Sequence, residues 1–426
     1  MNNANKNFLV KKEFLIILLL LLLALIIRIG IVIKIEEPID KDALEYYSIV
    51  KNVIEKHIFS IDGVSPTARR SPGYPIFLAG IITIFGSNPR ILYISQAMIN
   101  ILTIFLIFLS LKYINVKSSL RLFIVLLFSL STSFIYINVL YAEILTMFVI
   151  TLVLLLAVHS GIQSRPFQQS FLTGILLGLL VHLRPTFLYL PFFMIFSIII
   201  IKIFKPRFKI RNHLVTVTVA LIVVAPWTIR NYVVFRQFIP LVSAGGGELW
   251  GANFEINDRV VWHSVSDIEK YEDQRTASHI RQNALITQYR SQYDLQNPED
   301  LNRFLSKQGQ TIILHHPFRY ALLCFNRLMI FWFSPPIGST SLKAFSPVIF
   351  VVILLFKYSL TILAIFGLFK FARQDFQGAF VWLAILLYLT LLHAVTHSIQ
   401  RYFLPVIPLM YFGLGYLLNS VRNNKL

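Results

Sequence analysis

Long apolar stretches alternate with short polar connections along almost the whole chain. Runs near 14–35, 91–113, 120–139, 142–160, 170–181, 186–204, 214–229, 347–369, 380–395 and 402–418 read as about ten transmembrane helices, since crossing a hydrocarbon core takes roughly 20 helical residues. Two further stretches are ambiguous. Residues 74–85 are apolar but short, and residues 311–333 are long enough but carry His315, His316, Pro317, Arg319, Asn326 and Arg327. If neither crosses, the basic connections Lys112/Lys117/Arg121, Arg165, Lys202/Lys205/Arg207/Lys209/Arg211, Lys370/Arg373 and Arg422/Lys425 fall on the same side as Lys6, Lys11 and Lys12. That is the positive-inside bias of cytoplasmic loops.

This topology predicts an all-α polytopic membrane protein with both termini cytoplasmic. Only Glu13 and Asp375 among the acids face the cytoplasm, and the outer surface carries two sizeable pieces, 36–90 and 231–346. The expected organisation is an amino-terminal transmembrane module over 1–230 with the first outer loop at 36–90, an extracytoplasmic segment over 231–346, and carboxy-terminal transmembrane helices over 347–426. Within the middle segment, 258–310 turns polar and charged and suits a small helical excursion. The first apolar run has lysines before it and no small-residue cleavage site after it, as expected of a retained helix. Arg28 and Lys357 are the main charges inside spans, each near enough to a span end to snorkel.

Composition sharpens this picture. Of the 426 residues 56% are hydrophobic, which excludes a soluble domain, and the net charge of +19 is scattered among apolar spans rather than gathered on one face, which excludes nucleic acid as the partner. Cys324 is the only cysteine, so no disulfide and no cysteine-based metal site can form within the chain.

The candidate chemistry lies on the outer side. Asp42 opens an expected helix over 43–55 whose Tyr46, Val50 and Val53 share one face, suiting an interfacial helix. Asp42 with Glu45 also fits a capping box, and Asp40 competes for either role. Arg69 and Arg70 precede Ser71-Pro72-Gly73-Tyr74-Pro75, a forced turn, and arginine's planar fork suits a phosphate. Glu143 sits at the outer edge between two spans, where an acid needs a partner or a wet cavity. Arg184, Arg230 and Arg401 fall at the same depth. His393 and His397 have the spacing of a ligand pair but lack the glutamate of a zinc-protease motif, and the Gly245–Gly247 run suits close backbone approach to a sugar or lipid.

Taken in order, Asp42-x-x-x-Tyr46 with Phe59-Ser60, Arg70-x-Pro72-Gly73-Tyr74-Pro75, Glu143, Leu183-Arg184-Pro185-Thr186, Pro226-Trp227-Thr228-Ile229-Arg230-Asn231-Tyr232, Gly247-x-x-Trp250-x-x-Asn253 and Arg401-Tyr402-x-x-Pro405-x-x-Pro408 make the chain resemble the GT-C superfamily. These are polyprenyl-phosphate-sugar-dependent glycosyltransferases, and the resemblance is to the bacterial branch similar to protein O-mannosyltransferases and aminoarabinose transferases, over most of the chain. It implies an inverting transfer at the outer face of the cell membrane, from a polyprenyl-phosphate-linked sugar to a lipid, glycan or protein hydroxyl. It favours Asp42 over Asp40 as the general base, places Arg69, Arg70, Tyr74, Arg184, Arg230, Asn231 and Arg401 around the donor phosphate, and makes Glu143 a further active-site acid. Many relatives set two acids side by side where Lys41 here separates Asp40 from Asp42, so no metal ligand is assigned and a divalent cation stays open. Two other readings share the topology: a transporter or flippase of lipid-linked glycans, and a polymerase or ligase using polyprenyl-diphosphate glycans.

Overall fold

The computed structural model describes residues 3–34, 41–160, 166–243, 245–256, 268–295, 298–335 and 345–422. The described residues form α-helices joined by turns and short 3-10 segments, with no strand among them. The chain falls into two compact units: 1–227 with 359–385 and 404–426, and 228–358 with 386–403.

The first unit holds α1 (Asn3–Lys34), α2 (Lys41–Lys56), α3 (Gly73–Phe85), α4 (Pro89–Tyr113), α5 (Ser118–Ser129), α6 (Glu143–Ser160), α7 (Pro166–Leu183), α8 (Leu190–Phe204) and most of α9 (Arg211–Phe235). Parts of three later elements complete it. α4 is its centre, packed against α1, α5, α6 and the last helix (Ile407–Arg422). Its buried face carries Gln96, Asn100 and Thr103 beside Leu92, Ile104 and Ile107, so polar groups serve as well as apolar ones in joining the helices. Leu15, Leu18, Leu19, Leu22 and Ile26 of α1 point outward, as lipid-facing residues do.

The second unit includes α10 (Gly245–Phe254), α11 (Ile268–Gln292), α12 (Pro298–His315) and α13 (Pro317–Phe333). Trp250, Phe254, Leu301 and Leu305 make a small core with Tyr289 and Phe304 against it. It also takes the first part of α14 (Pro347–Gln374) and the end of α15 (Phe376–Val395); α16 (Ile407–Arg422) closes the chain.

Among the described residues seven helices are long and apolar enough to cross a membrane: 11–34, 89–113, 185–204, 211–235, 347–374, 376–395 and 400–422. Shorter apolar helices lie at 73–85, 118–129, 143–159 and 167–183. Of the ten apolar runs read from sequence, seven lie over helices of this length and three over the shorter helices at 118–129, 143–159 and 167–183, and the protein is a multi-pass membrane protein. The run at 120–139 is not continuous: α5 stops at Ser129 and a 3-10 segment takes over at Thr132–Asn138. The cause is local. Ser129 Oγ donates back to the Leu126 carbonyl, a hydroxyl competing with the helix ladder in a Ser-Leu-Ser-Thr-Ser stretch.

The freed Ser129 carbonyl is taken by Arg28 Nη2 at 3.0 Å, and here the snorkelling expectation fails. Arg28 is 1% exposed, with Nε on Asn100 Oδ1 at 2.7 Å and Nη1 on the Ala24 carbonyl at 3.0 Å. Burying a cation requires partners, and interrupting α5 supplies one. Lys357 likewise donates to the Ser334 carbonyl just past α13, while Tyr358 donates to Phe333 O. Exposed carbonyls at a helix end hold it more firmly than a distant interface would.

Candidate active site

α2 is amphipathic, with Ala43, Tyr46, Ile49 and Val50 buried and Lys51, Glu55 and Lys56 exposed. Asp42 and Glu45, three apart, lie on one face. Arg70 sits across both: Nη2 meets Asp42 Oδ1 at 2.7 Å and Nε meets Glu45 Oε2 at 2.6 Å. Arg69 Nε reaches both Glu45 oxygens, at 3.0 and 3.1 Å. The helix starts at Lys41, so Asp42 lies within its first turn, and its carboxylate engages a guanidinium. Asp40 lies outside the described residues.

The Arg70 guanidinium also stands 5.3 Å from the Tyr46 ring, which meets Tyr74 edge-on at 5.1 Å. Tyr74 donates to Gln96 Oε1 at 2.9 Å, tying the turn to α4. Burial opposes the Arg70 charge, but Asp42, Tyr46 and Glu45 outweigh it and push its pKa up. Tyr46 is pushed up to about 12, first by burial; Arg70 and Arg184 pull it down while Glu143 and Asp42 push it up. One hydroxyl therefore feels two arginines and two acids.

The arginine turn rests on the end of α7. Ser71 Oγ donates to the Leu183 carbonyl at 3.3 Å, and a Cβ on Gly73 would lie 2.7 Å from the His182 carbonyl carbon and oxygen. Only glycine permits that approach, so Gly73 brings the turn against Leu183-Arg184. Pro185 favours an extended residue before it, and Arg184 has φ −142° and ψ 125°. Its Nη1 lies 3.4 Å from Glu143 Oε1. Glu143 is 4% exposed and opens α6, where a helix N-terminus also favours its negative charge.

The loop after α2 is internally braced. Asp62 Oδ1 accepts from Ser60 Oγ and from the Val64 and Ser65 amides, while Asn52 Nδ2 donates to the Ser60 carbonyl. Those amide bonds pull Asp62 down to about 2. Phe59 meets Trp227 edge-on at 4.9 Å.

Six of the residues singled out from sequence thus gather in the first unit: Asp42, Arg69, Arg70, Tyr74, Glu143 and Arg184. Arg230, Asn231 and Arg401 belong to the second unit. There Arg230 Nη1 donates to Asn231 Oδ1 at 3.0 Å, and Asn231 Nδ2 donates to the Ile239 and Leu241 carbonyls, each at 3.0 Å. Arg401 stands 5.8 Å from the Tyr402 ring. In the glycine run the Gly246 and Gly247 amides donate to Asn302 Oδ1 and Gly246 abuts the Asn302 backbone, a close approach between α10 and α12. His393 Nδ1 bonds the His397 carbonyl and its ring stacks on Tyr402.

Glu45 was legible only as the far end of a capping box, although its i+3 spacing from Asp42 marks the shared face. Arg327 gave no signal. It is buried, with Nη2 on the Ala252 carbonyl at 2.7 Å and Nη1 on Asn253 Oδ1 at 3.3 Å. Among the described residues no three His, Cys, Asp or Glu side chains lie close enough to hold a metal ion. Asp42 and Glu45 face a guanidinium instead. Chemically the cluster offers carboxylates, two tyrosine hydroxyls and several arginines.

The profile of the family described as dolichyl-phosphate-mannose-protein mannosyltransferase matches residues 69–229, from the arginine turn through most of α9. No curated protein matches in sequence. Among solved structures, the chain is similar to the archaeal oligosaccharyltransferase AglB from Archaeoglobus fulgidus in complex with an inhibitory peptide and a dolichol-phosphate, at 12% identity and TM-score 0.51, over 96% of this chain and 50% of that one. It is also similar to the oligosaccharyltransferase of Archaeoglobus fulgidus in the apo form, at 11% identity and TM-score 0.50, over 95% of this chain and 52% of that one. The chain spans about half the length of these structures, and at such identity the likeness is one of fold.

Proposed function

We propose that the chain is a GT-C glycosyltransferase acting with inversion, moving a sugar from a polyprenyl-phosphate donor to a hydroxyl acceptor at the outer face of the cell membrane, a reading supported by the family match over residues 69–229 and by the shared fold. The acceptor is a lipid, glycan or protein of the cell envelope. The observation carrying this reading is the Asp42–Arg70–Glu45 arrangement, a carboxylate and an arginine 2.7 Å apart at the start of an amphipathic helix.

In the proposed reaction Asp42 takes the proton of the acceptor hydroxyl as its oxygen bonds to the anomeric carbon. The bond from that carbon to the phosphate oxygen breaks with its electron pair, from the opposite face, releasing polyprenyl phosphate. Arg70, with Arg69 and Arg184 behind it, neutralises the departing anion. Tyr74 braces the turn and Glu143 holds Arg184. A donor phosphate competing for Nη2 would draw Arg70 off Asp42 while Glu45 keeps hold of Nε, leaving the Asp42 carboxylate to face the acceptor.

A transporter of lipid-linked glycans is the rival reading, and the buried Arg28 is the observation on its side. Its bonds to Asn100, Ala24 and Ser129 suit a fixed brace better than a moving path. Membranes bearing the protein, incubated with radiolabelled polyprenyl-monophosphate sugars, test the proposal: a covalently labelled acceptor and free polyprenyl phosphate are expected. Label that crosses vesicles without a covalent product would establish the transporter. Consumption of diphosphate-linked glycans alone would establish a polymerase or ligase.

A further inference from the structure

A cavity of about 520 Å³ opens among Lys205, Pro206, Arg207, Phe208, Phe376 and Gln377. Three membrane-crossing helices end beside it: one finishes at Phe204, one begins at Arg211 and one begins at Phe376. The cavity therefore lies where hydrocarbon gives way to head groups. The approach to it carries Lys202, Lys205, Arg207, Lys209 and Arg211 within ten residues and no acid among them. Asp375 adjoins it in sequence, with its Oδ1 accepting from the Gly378 amide at 2.9 Å as a helix cap.

The cavity wall is built rather than draped. Lys202 Nζ donates to the Pro206 and Phe208 carbonyls, and Gln377 Nε2 donates to the Lys209 carbonyl at 2.6 Å while Gln377 Oε1 accepts from Lys209 N at 3.2 Å. Phe208 is buried, stacked on His213 at 5.1 Å and edge-on to Phe376 at 5.8 Å. Lys205 Nζ stands 4.1 Å from the Phe376 ring centre. Ile203 and Phe204, immediately before the cavity, are exposed as lipid-facing groups are.

We propose that this cavity binds the phosphate head group of an anionic phospholipid from the adjoining leaflet. Lys205 and Arg207 supply the charge, the Arg207 fork suits phosphate oxygens, and the aromatic wall with Ile203 and Phe204 takes the glycerol and first acyl carbons. A soluble phosphate would use only the cationic rim and leave the aromatic wall uncovered. The site lies apart from the proposed transfer chemistry and is independent of it.

The test uses the full-length protein, stripped of lipid in detergent, titrated with phosphatidylglycerol or phosphatidylcholine in mixed micelles and followed by native mass spectrometry. Phosphatidylglycerol is expected to bind preferentially, and Lys205→Gln/Arg207→Gln to weaken it on the order of thirtyfold, the effect of removing two basic residues near an anionic surface. Lys205→Arg/Arg207→Lys keeps both charges and is expected to retain most of the binding, which separates lost charge from lost folding. Equal binding of the two lipids, unchanged binding by the charge-free variant, or full displacement of phosphatidylglycerol by millimolar inorganic phosphate would each overturn the proposal.

Discussion

Arg28 and Arg70 hold their charge in opposite ways. Arg28 is 1% exposed and bonds to an amide oxygen and two carbonyls; Arg70 is about one-fifth exposed and bonds to two carboxylates. Neutral oxygens fixed in packed helices cannot be exchanged without unpacking them, whereas a carboxylate beside water is readily exchanged for a phosphate of like charge. The difference separates a brace from a binding group, and five substitutions or conditions probe it.

Asp42→Asn removes the proposed base while keeping shape. Transfer should fall by about 10²–10⁴-fold with only a small drop in melting temperature, since the ion pair to Arg70 that is lost is partly exposed. Near-normal turnover would remove Asp42 from the chemistry. Arg28→Leu strands Asn100 Oδ1 and the Ser129 carbonyl, each costing about 1–3 kcal/mol when left unmade. A clear loss in denaturation midpoint is expected, with turnover per folded molecule preserved; a stable but inactive variant would dissolve the distinction between the two arginines.

Gly73→Ala puts a methyl 2.7 Å from the His182 carbonyl. Overpacking of this kind costs roughly 1–3 kcal/mol, and turnover should fall too because the turn carrying Arg70 is pushed from Arg184. Kinetics that match the parent would mean that the two arginines act separately. Arg70→Lys keeps one charge and loses the fork, so donor KM should rise roughly tenfold, the worth of about one charge-assisted hydrogen bond. An unchanged KM would leave Arg70 as a support for Asp42 only.

The smallest effect concerns Asp62. Its pKa is about 2 in the folded loop against an ordinary 3.8, so its contribution is present above pH about 4 and fades as pH falls toward 2. The protection of the Val64 and Ser65 amides, relative to their intrinsic exchange at each pH, should fall over that window while α2 stays protected. Constant protection down to pH 2 would show that Ser60 and Asn52 brace the loop without it.

Much of this was legible. The apolar runs overlap helices because apolar length is a property of the chain by itself, although the run at 120–139 breaks at Ser129, and the arginine turn and Glu143 stood out because charge is rare among such runs. The shared depth of Glu143 and Arg184 was readable too, although the same level also held Arg230 and Arg401, which belong to the second unit. The pairings were not. Arg28 meets Asn100 72 residues away, and nothing near either residue announces it. Gly73 reads as an ordinary turn glycine until α7 is placed against it. Glu45 was masked by a rival local motif that fits the same spacing.

The break in α5 bears on how the chain is made. Ser129 is synthesised 101 residues after Arg28, so at 5–20 residues per second α1 waits about 5–20 s before its arginine finds that partner. Asn100 is made sooner, 72 residues after Arg28, and until α4 emerges the cation sits on a solitary helix at a cost of about 2.5–3.5 kcal/mol in the insertion machinery. The unbroken leucine-isoleucine stretch before Arg28 offsets that cost through greasiness alone, which makes the run a provision for biogenesis as well as for the finished protein.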